Sequence, residues 1–103
     1  MAAQALNARV AAAAALKDTI RDVNRYIQKE NPSQRLLQNK HDKLLEDKND
    51  LFTKHCTYSE LSKKSLDSEE LLDWITPQMD AASDVLDEII LLIDEKKHQL
   101  SMQ

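Results

Sequence analysis

No glycine occurs anywhere in the 103 residues of this chain. Tight hairpin turns and phosphate-cradling loops depend on glycine for positive φ or for close backbone approach. A chain without it is pushed towards helices joined by short links, and only two prolines interrupt this one. Aromatic residues are 4% of the chain, so leucine, isoleucine, valine and alanine must build the core. With 42% hydrophobic and 31% charged residues, the composition fits amphipathic helices and is too apolar for a disordered chain. The length suits one compact domain, residues 1–103.

Three amphipathic segments follow from the apolar spacing. Leu16, Ile20, Val23 and Ile27 step 4, 3, 4, and Leu6, Val10 and Ala13 extend the stripe backwards, which predicts a first helix over about 3–30. The alanine-rich start is a strong helix former without the leucine-rich centre of a secretory signal, so it extends this helix. Asp18–Arg21 and Asp22–Arg25 are expected as i,i+3 pairs on its solvated face. Pro32 ends the helix, Asn31 is expected to cap the next one, and Gln34 to close a capping box. The second helix spans about 32–64, with Leu37, Leu44, Leu51 and Tyr58 every seven residues. Asp67 with Glu70 reads as a second capping box, opening a third helix over about 68–98. Its seam is Leu72, Ile75, Met79, Ala82, Leu86, Ile89 and Ile93. Pro77 should kink it near Trp74–Pro77, or Thr76 should cap a fresh start there. Three such helices with short links make an all-α, antiparallel three-helix bundle with coiled-coil-like heptad seams, elongated to roughly 45 Å.

The second helix has an irregular flank. His41, Lys48 and His55 occupy the heptad positions where a second apolar residue is expected, and the third helix carries its own row, Asp73, Asp80, Asp87 and Asp94. In one antiparallel register, centred on the turn at Asp67–Ser68, His55 meets Asp80, Lys48 meets Asp87 and His41 meets Asp94. Pairs at the edge of the seam are worth about 0.5 kcal/mol each, and they fix register because a one-heptad slip leaves charge unpaired. The net charge of −4 is uneven: residues 65–103 hold two basic and ten acidic groups, while residues 1–64 are net basic. Neutralisation of the acidic third within the chain is the simplest expectation.

No catalytic, cofactor or metal constellation stands out. His55 and Cys56 are adjacent and point about 100° apart on a helix, and His41 lies roughly 21 Å away along the axis, so no zinc-ligand spacing results. Cys56 has no obvious base to activate it. Lys40, Lys43, Lys48, Lys54, Lys63 and Lys64 are interspersed with acids, which argues against nucleic acid. No run of 18 apolar residues is present, so no membrane span is expected, and a lone cysteine fits a reducing, cytoplasmic setting. The segment "EIILLI" is apolar around much of its circumference. With Leu71 and Trp74, its residues Ile89, Ile90, Leu92 and Ile93 are the candidate contacts for a protein partner, a second copy or another protein's helix.

The stretches "LKDTIRDVNRYI", "LLQNKHDKLLEDKNDLFTKHCTYSEL" and "SEELLDWITPQMDAASDVLDEI" together resemble the N-terminal helical region of invertebrate retrotransposon gag-like polyproteins of the Pao/BEL kind. The likeness covers about residues 16–95 and consists of helix pattern and spacing. The alanine-rich start and Pro77 fall outside that pattern, and the zinc knuckle and protease of fuller polyproteins are absent. The resemblance implies a structural or assembly domain. The sequence reading is therefore a non-enzymatic self-association module, gag-like or otherwise, and in the alternative a monomeric adaptor bundle that binds a helix of another protein.

Overall fold

The computed structural model describes residues 2–29 and 32–101. Three helices are present, α1 (Ala2–Ile27), α2 (Gln34–Leu61) and α3 (Glu69–Ser101), with no strand among the described residues. They run up, down and up. Thr19 donates to the Asp47 carboxylate, Lys40 pairs with Asp22, and the Ser33 N–H donates to the Tyr26 hydroxyl at 2.9 Å, so α1 and α2 are antiparallel. Lys64 with Glu70 at 2.8 Å and His55 with Trp74 set α2 antiparallel to α3. The bundle is 21 × 16 Å in cross-section and elongated, with a radius of gyration of 16.4 Å against about 13 Å for a compact domain of this size.

The heptad leucines Leu37, Leu44 and Leu51 have no exposed surface. They meet Leu16 and Val23 of α1 and Ile75, Ala82, Leu86, Ile89 and Ile93 of α3 in one core. Two stripes differ from the heptad reading. On α1 the buried line runs Ala5, Arg9, Ala12, Leu16, while Leu6 and Val10 face outward. On α3 it begins at Leu71, and Leu72 is turned out. The α3 shift follows the 3.6-residue period of a straight helix, which drifts against a strict heptad, whereas on α1 Arg9 keeps heptad spacing to Leu16 and Val10 falls one residue off that row. Leu71 lies 18 residues, five whole turns, before Ile89 and so directly in line with it.

Serines do the capping. Ser33 has extended backbone and its Oγ accepts from the Leu36 N–H, so α2 starts at Gln34 rather than Pro32. Asn31, the expected cap, lies outside the described residues. Ser68, one residue beyond the expected Asp67, accepts from the Leu71 N–H. Glu70 is drawn out of its capping box by Lys64. α3 passes through Pro77 without leaving the helix, so no fresh start occurs at Thr76, and the Gln78 side-chain amide donates to the Trp74 carbonyl at 2.7 Å. Of the expected α1 pairs, Arg21–Asp18 forms, whereas Asp22 reaches across to Lys40.

The α2 C-terminus shows what the lack of glycine imposes. Ser62 is the C-cap, the Lys64 N–H bonds the Ser59 carbonyl at 3.0 Å, and the Lys63 N–H bonds that of Glu60 at 3.2 Å. This is a Schellman ending, whose left-handed position is usually glycine. Here Lys63 holds it at φ 58°. Lys63→Gly removes the Cβ clash and is expected to raise stability by about 0.5–1 kcal/mol, read as a higher urea midpoint at unchanged slope. A lower midpoint would mean that lysine contacts, not backbone strain, dominate this turn.

Candidate functional site

Two features stand apart from ordinary bundle packing. The first is a buried arginine. Arg9 is 7% exposed, and its guanidinium carbon lies 3.9 Å from the ring centroids of both Tyr58 and Trp74. His55, 1% exposed, stacks on Trp74 at 5.5 Å with planes 14° apart. The Arg9 Nη1 lies 3.4 Å from His55 Nδ1, a long contact in which arginine can only be the donor. That leaves the His55 proton on Nε2. Buried His55 Nε2 and Arg9 Nε have no partner. Burial pushes the Arg9 guanidinium below its ordinary value, opposed by the Tyr58 hydroxyl and the Glu70 carboxylate. Burial, and secondarily the Arg9 charge, pushes the His55 imidazole down, so it is neutral at neutral pH. Ring faces take the place of a counter-carboxylate, each such cation–π contact being worth about 0.5–2 kcal/mol.

The alanines of α1 explain why a cation fits here. Ala5, Ala12 and Ala13 let α1 approach closely, and the long arginine side chain fills the space they leave at this end. Sequence reading passed over Arg9. The available signal was its place seven residues before Leu16, in the stripe, as the one charged residue of the alanine-rich start.

The second feature is an uncovered flank where α2 meets α3. Gln38 and His41 of α2 share a surface depression with Ile90, Ile93, Asp94 and Lys97 of α3. Leu45 and Phe52 follow Gln38 at heptad spacing, so they lie on the same flank. Met79 and Leu72 precede Ile90 by 11 and 18 residues, also same-face spacings. Phe52 is 49%, Leu72 44% and Ile90 43% exposed. Sequence reading missed Leu45 and Phe52, whose spacing from Gln38 was visible but whose direction was not.

Of the apolar residues expected to face a partner, Leu71, Ile89 and Ile93 are instead buried in the core. Trp74 and Leu92 are half-buried against it, and Ile90 alone stands out, beside a more exposed Leu91. The "EIILLI" excess is thus mostly absorbed by three-helix packing. The expected charge pairs are also replaced. His55 faces Arg9 and Trp74 while Asp80 is exposed. His41 does come beside Asp94, yet its Nδ1 contacts the nearer Asp42 carboxylate at 3.2 Å. Lys48 is half-buried and forms no ion pair with Asp87. An aromatic ring beside the buried His55 outcompetes a carboxylate that would have to leave water.

Neutralisation across the chain is correspondingly small. Among the described residues, Lys64–Glu70 is the one ion pair joining α3 to the rest. Asp80, Asp87 and Asp94 remain as an unpaired row along the rim of the α2/α3 flank. Among the same residues, no three His, Cys, Asp or Glu side chains are grouped to hold a metal, and no helix is long and apolar enough to cross a membrane. Cys56 is a half-buried free thiol. No family model, curated protein or solved structure matches this chain.

Proposed function

We propose that this chain is a non-enzymatic helical interaction module, an adaptor bundle that binds a helix of another protein. The observation that carries this reading is the apolar flank of Leu45, Phe52, Leu72 and Ile90 left uncovered beside a core already closed by Leu37, Leu44 and Leu51. A bundle that seals its own core does not need a second copy to fold, and outward leucine, phenylalanine and isoleucine on one flank suit reversible docking. The buried titratable pair, Arg9 and His55, is enclosed by rings and suits a packing role. The half-buried free Cys56 suits a reducing, cytoplasmic setting.

The gag-like resemblance supports the second reading, a self-association or assembly domain whose copies join through this same flank. Against it, symmetric pairing would bring two rows of Asp80, Asp87 and Asp94 into one interface. Molar mass by light scattering, from micromolar to near-millimolar protein, separates the readings. A mass of 11.8 kDa throughout is the expected result. A mass that climbs to a dimer or beyond would transfer the flank to self-association.

A further inference from the structure

We propose that the α2/α3 flank receives a basic amphipathic helix, which docks as a fourth helix with its apolar face on Leu45, Phe52, Leu72, Met79 and Ile90 and its Lys or Arg side chains on Asp80, Asp87 and Asp94. This inference rests on the interaction-module reading and names its partner class.

Three observations converge. First, the flank has the form of a helix seat. From Leu72 to Ile90 it extends five helical turns, about 27 Å, a length that matches five turns of a partner. Two adjacent antiparallel helices present a shallow groove between them, and a third helix laid there completes four-helix packing. The opposite side of the α2–α3 pair is occupied by α1, so this is the vacant side of the same pair.

Second, the α3 side carries a row of carboxylates, with Lys97 and His41 as the basic groups at one end of the groove. Asp94 lines the groove beside Ile90, and the exposed Asp87 and Asp80 precede it at heptad spacing, each turned about 20° further out along the helix. All three are exposed and none is in an ion pair. Their spacing of about 10.5 Å is that of same-face residues on any straight helix, so a cation on every second turn of the partner meets each carboxylate. Between Leu45 and Phe52, Lys48 is the only base on α2, and it is half-buried.

Third, the charge distinguishes this face from the α1/α2 side. There, Asp22, Asp47 and Asp18 are held by Lys40, Lys43 and Arg21 within the chain. The α3 rim keeps a row of uncompensated acid next to outward apolar side chains, and a helix of opposite charge satisfies both at once, whereas a second copy satisfies one and opposes the other.

The test uses the full chain and three synthetic peptides of about 18 residues, whose length follows from the groove. One has leucines on an a/d stripe with flanking lysines, one replaces those lysines with glutamate, and one keeps the lysines and replaces the leucines with serine. Binding is measured by titration calorimetry and mapped by amide chemical shifts. The leucine–lysine peptide is expected to bind with shifts concentrated on α2 and α3 along the groove. Asp80, Asp87 and Asp94 changed together to Asn should weaken it about tenfold, as should Phe52→Ser with Ile90→Ser, and added salt should weaken it further. Circular dichroism melts of both variants establish that they remain folded. Equal binding of the glutamate peptide, or of the serine peptide, overturns the inference. Shifts confined to α1 overturn this site while leaving an interaction module at another face. Loss of binding by all three peptides overturns the inference, and the light-scattering mass then decides the module reading separately.

Discussion

Trp74→Ala is expected to lower stability by about 2–3 kcal/mol, towards the low end for tryptophan truncation because the side chain is only half-buried. Its indole does two jobs. One face covers the Arg9 guanidinium at 3.9 Å, and the ring stacks on His55 at 5.5 Å. Removal leaves a void between α1, α2 and α3, and admits water to a cation and an imidazole. That hydration relieves part of the burial cost, which is a second reason for the moderate figure. Trp74→Phe keeps a ring and should cost about 1 kcal/mol. The informative partner is Arg9. Arg9→Met fills similar volume without burying charge, so it is expected to lie within about 1 kcal/mol of the parent, or above it. Arg9→Ala leaves two ring faces against a void and should cost about 2 kcal/mol. Urea melts of the four variants decide the matter. If Arg9→Met is as damaging as Arg9→Ala, the guanidinium itself is needed and the cation–π contacts outweigh its desolvation.

Acid should loosen the same end of the bundle well before general acid unfolding. His55 has its pKa pushed down on folding, first by burial and then by the Arg9 charge. The unfolded chain therefore binds a proton more readily than the folded one. Stability rises with pH wherever the unfolded state holds more protons, so the His55 contribution is fully present above about pH 6.5 and is lost as pH falls from there towards the folded value. One proton sets the slope at no more than about 1.4 kcal/mol per pH unit. The groups facing His55 are Arg9 from α1, Tyr58 on its own helix, and Trp74 from α3, with Glu70 acting on Arg9. None of these supplies a carboxylate contact to His55 that would favour its charged form. Glu70, held low by Lys64, and Asp42, held low by His41 and Gln38, lose their own contributions at more acidic pH. His55→Gln should flatten the stability profile between pH 5 and 7 while leaving the lower limb. A profile unchanged by that substitution would place the titration elsewhere. Trp74 is the only tryptophan, so its fluorescence reports this end of the bundle directly.

Helix count, order and the closed leucine seam were written in the chain. The absence of glycine, the 3–4 spacing of apolar residues, the break at Pro32 and the capping signal at Asp67–Glu70 leave little besides three long helices, because each pattern acts within a few turns of its own segment. Helix ends were legible to within a few residues, with serine taking each expected cap from a neighbouring Asn or Asp. What lay beyond local pattern was rotation about each helix axis. A heptad and a 3.6-residue period agree over two turns and part over five, and that drift moved Leu71 inward and Leu72 outward, while Arg9, at heptad spacing from Leu16, took the place given to Val10. Only the packed bundle could settle which side chains a neighbour covers. It gave His55 to a tryptophan ring rather than to Asp80, since an imidazole loses less than a carboxylate on leaving water. It also took Ile89 and Ile93 into the core and left Asp80, Asp87 and Asp94 in solvent beside Phe52 and Ile90. Charge counted along the chain predicted neutralisation, but ion pairs form between groups within about 4 Å, and that distance is set by the rotation of three helices against one another.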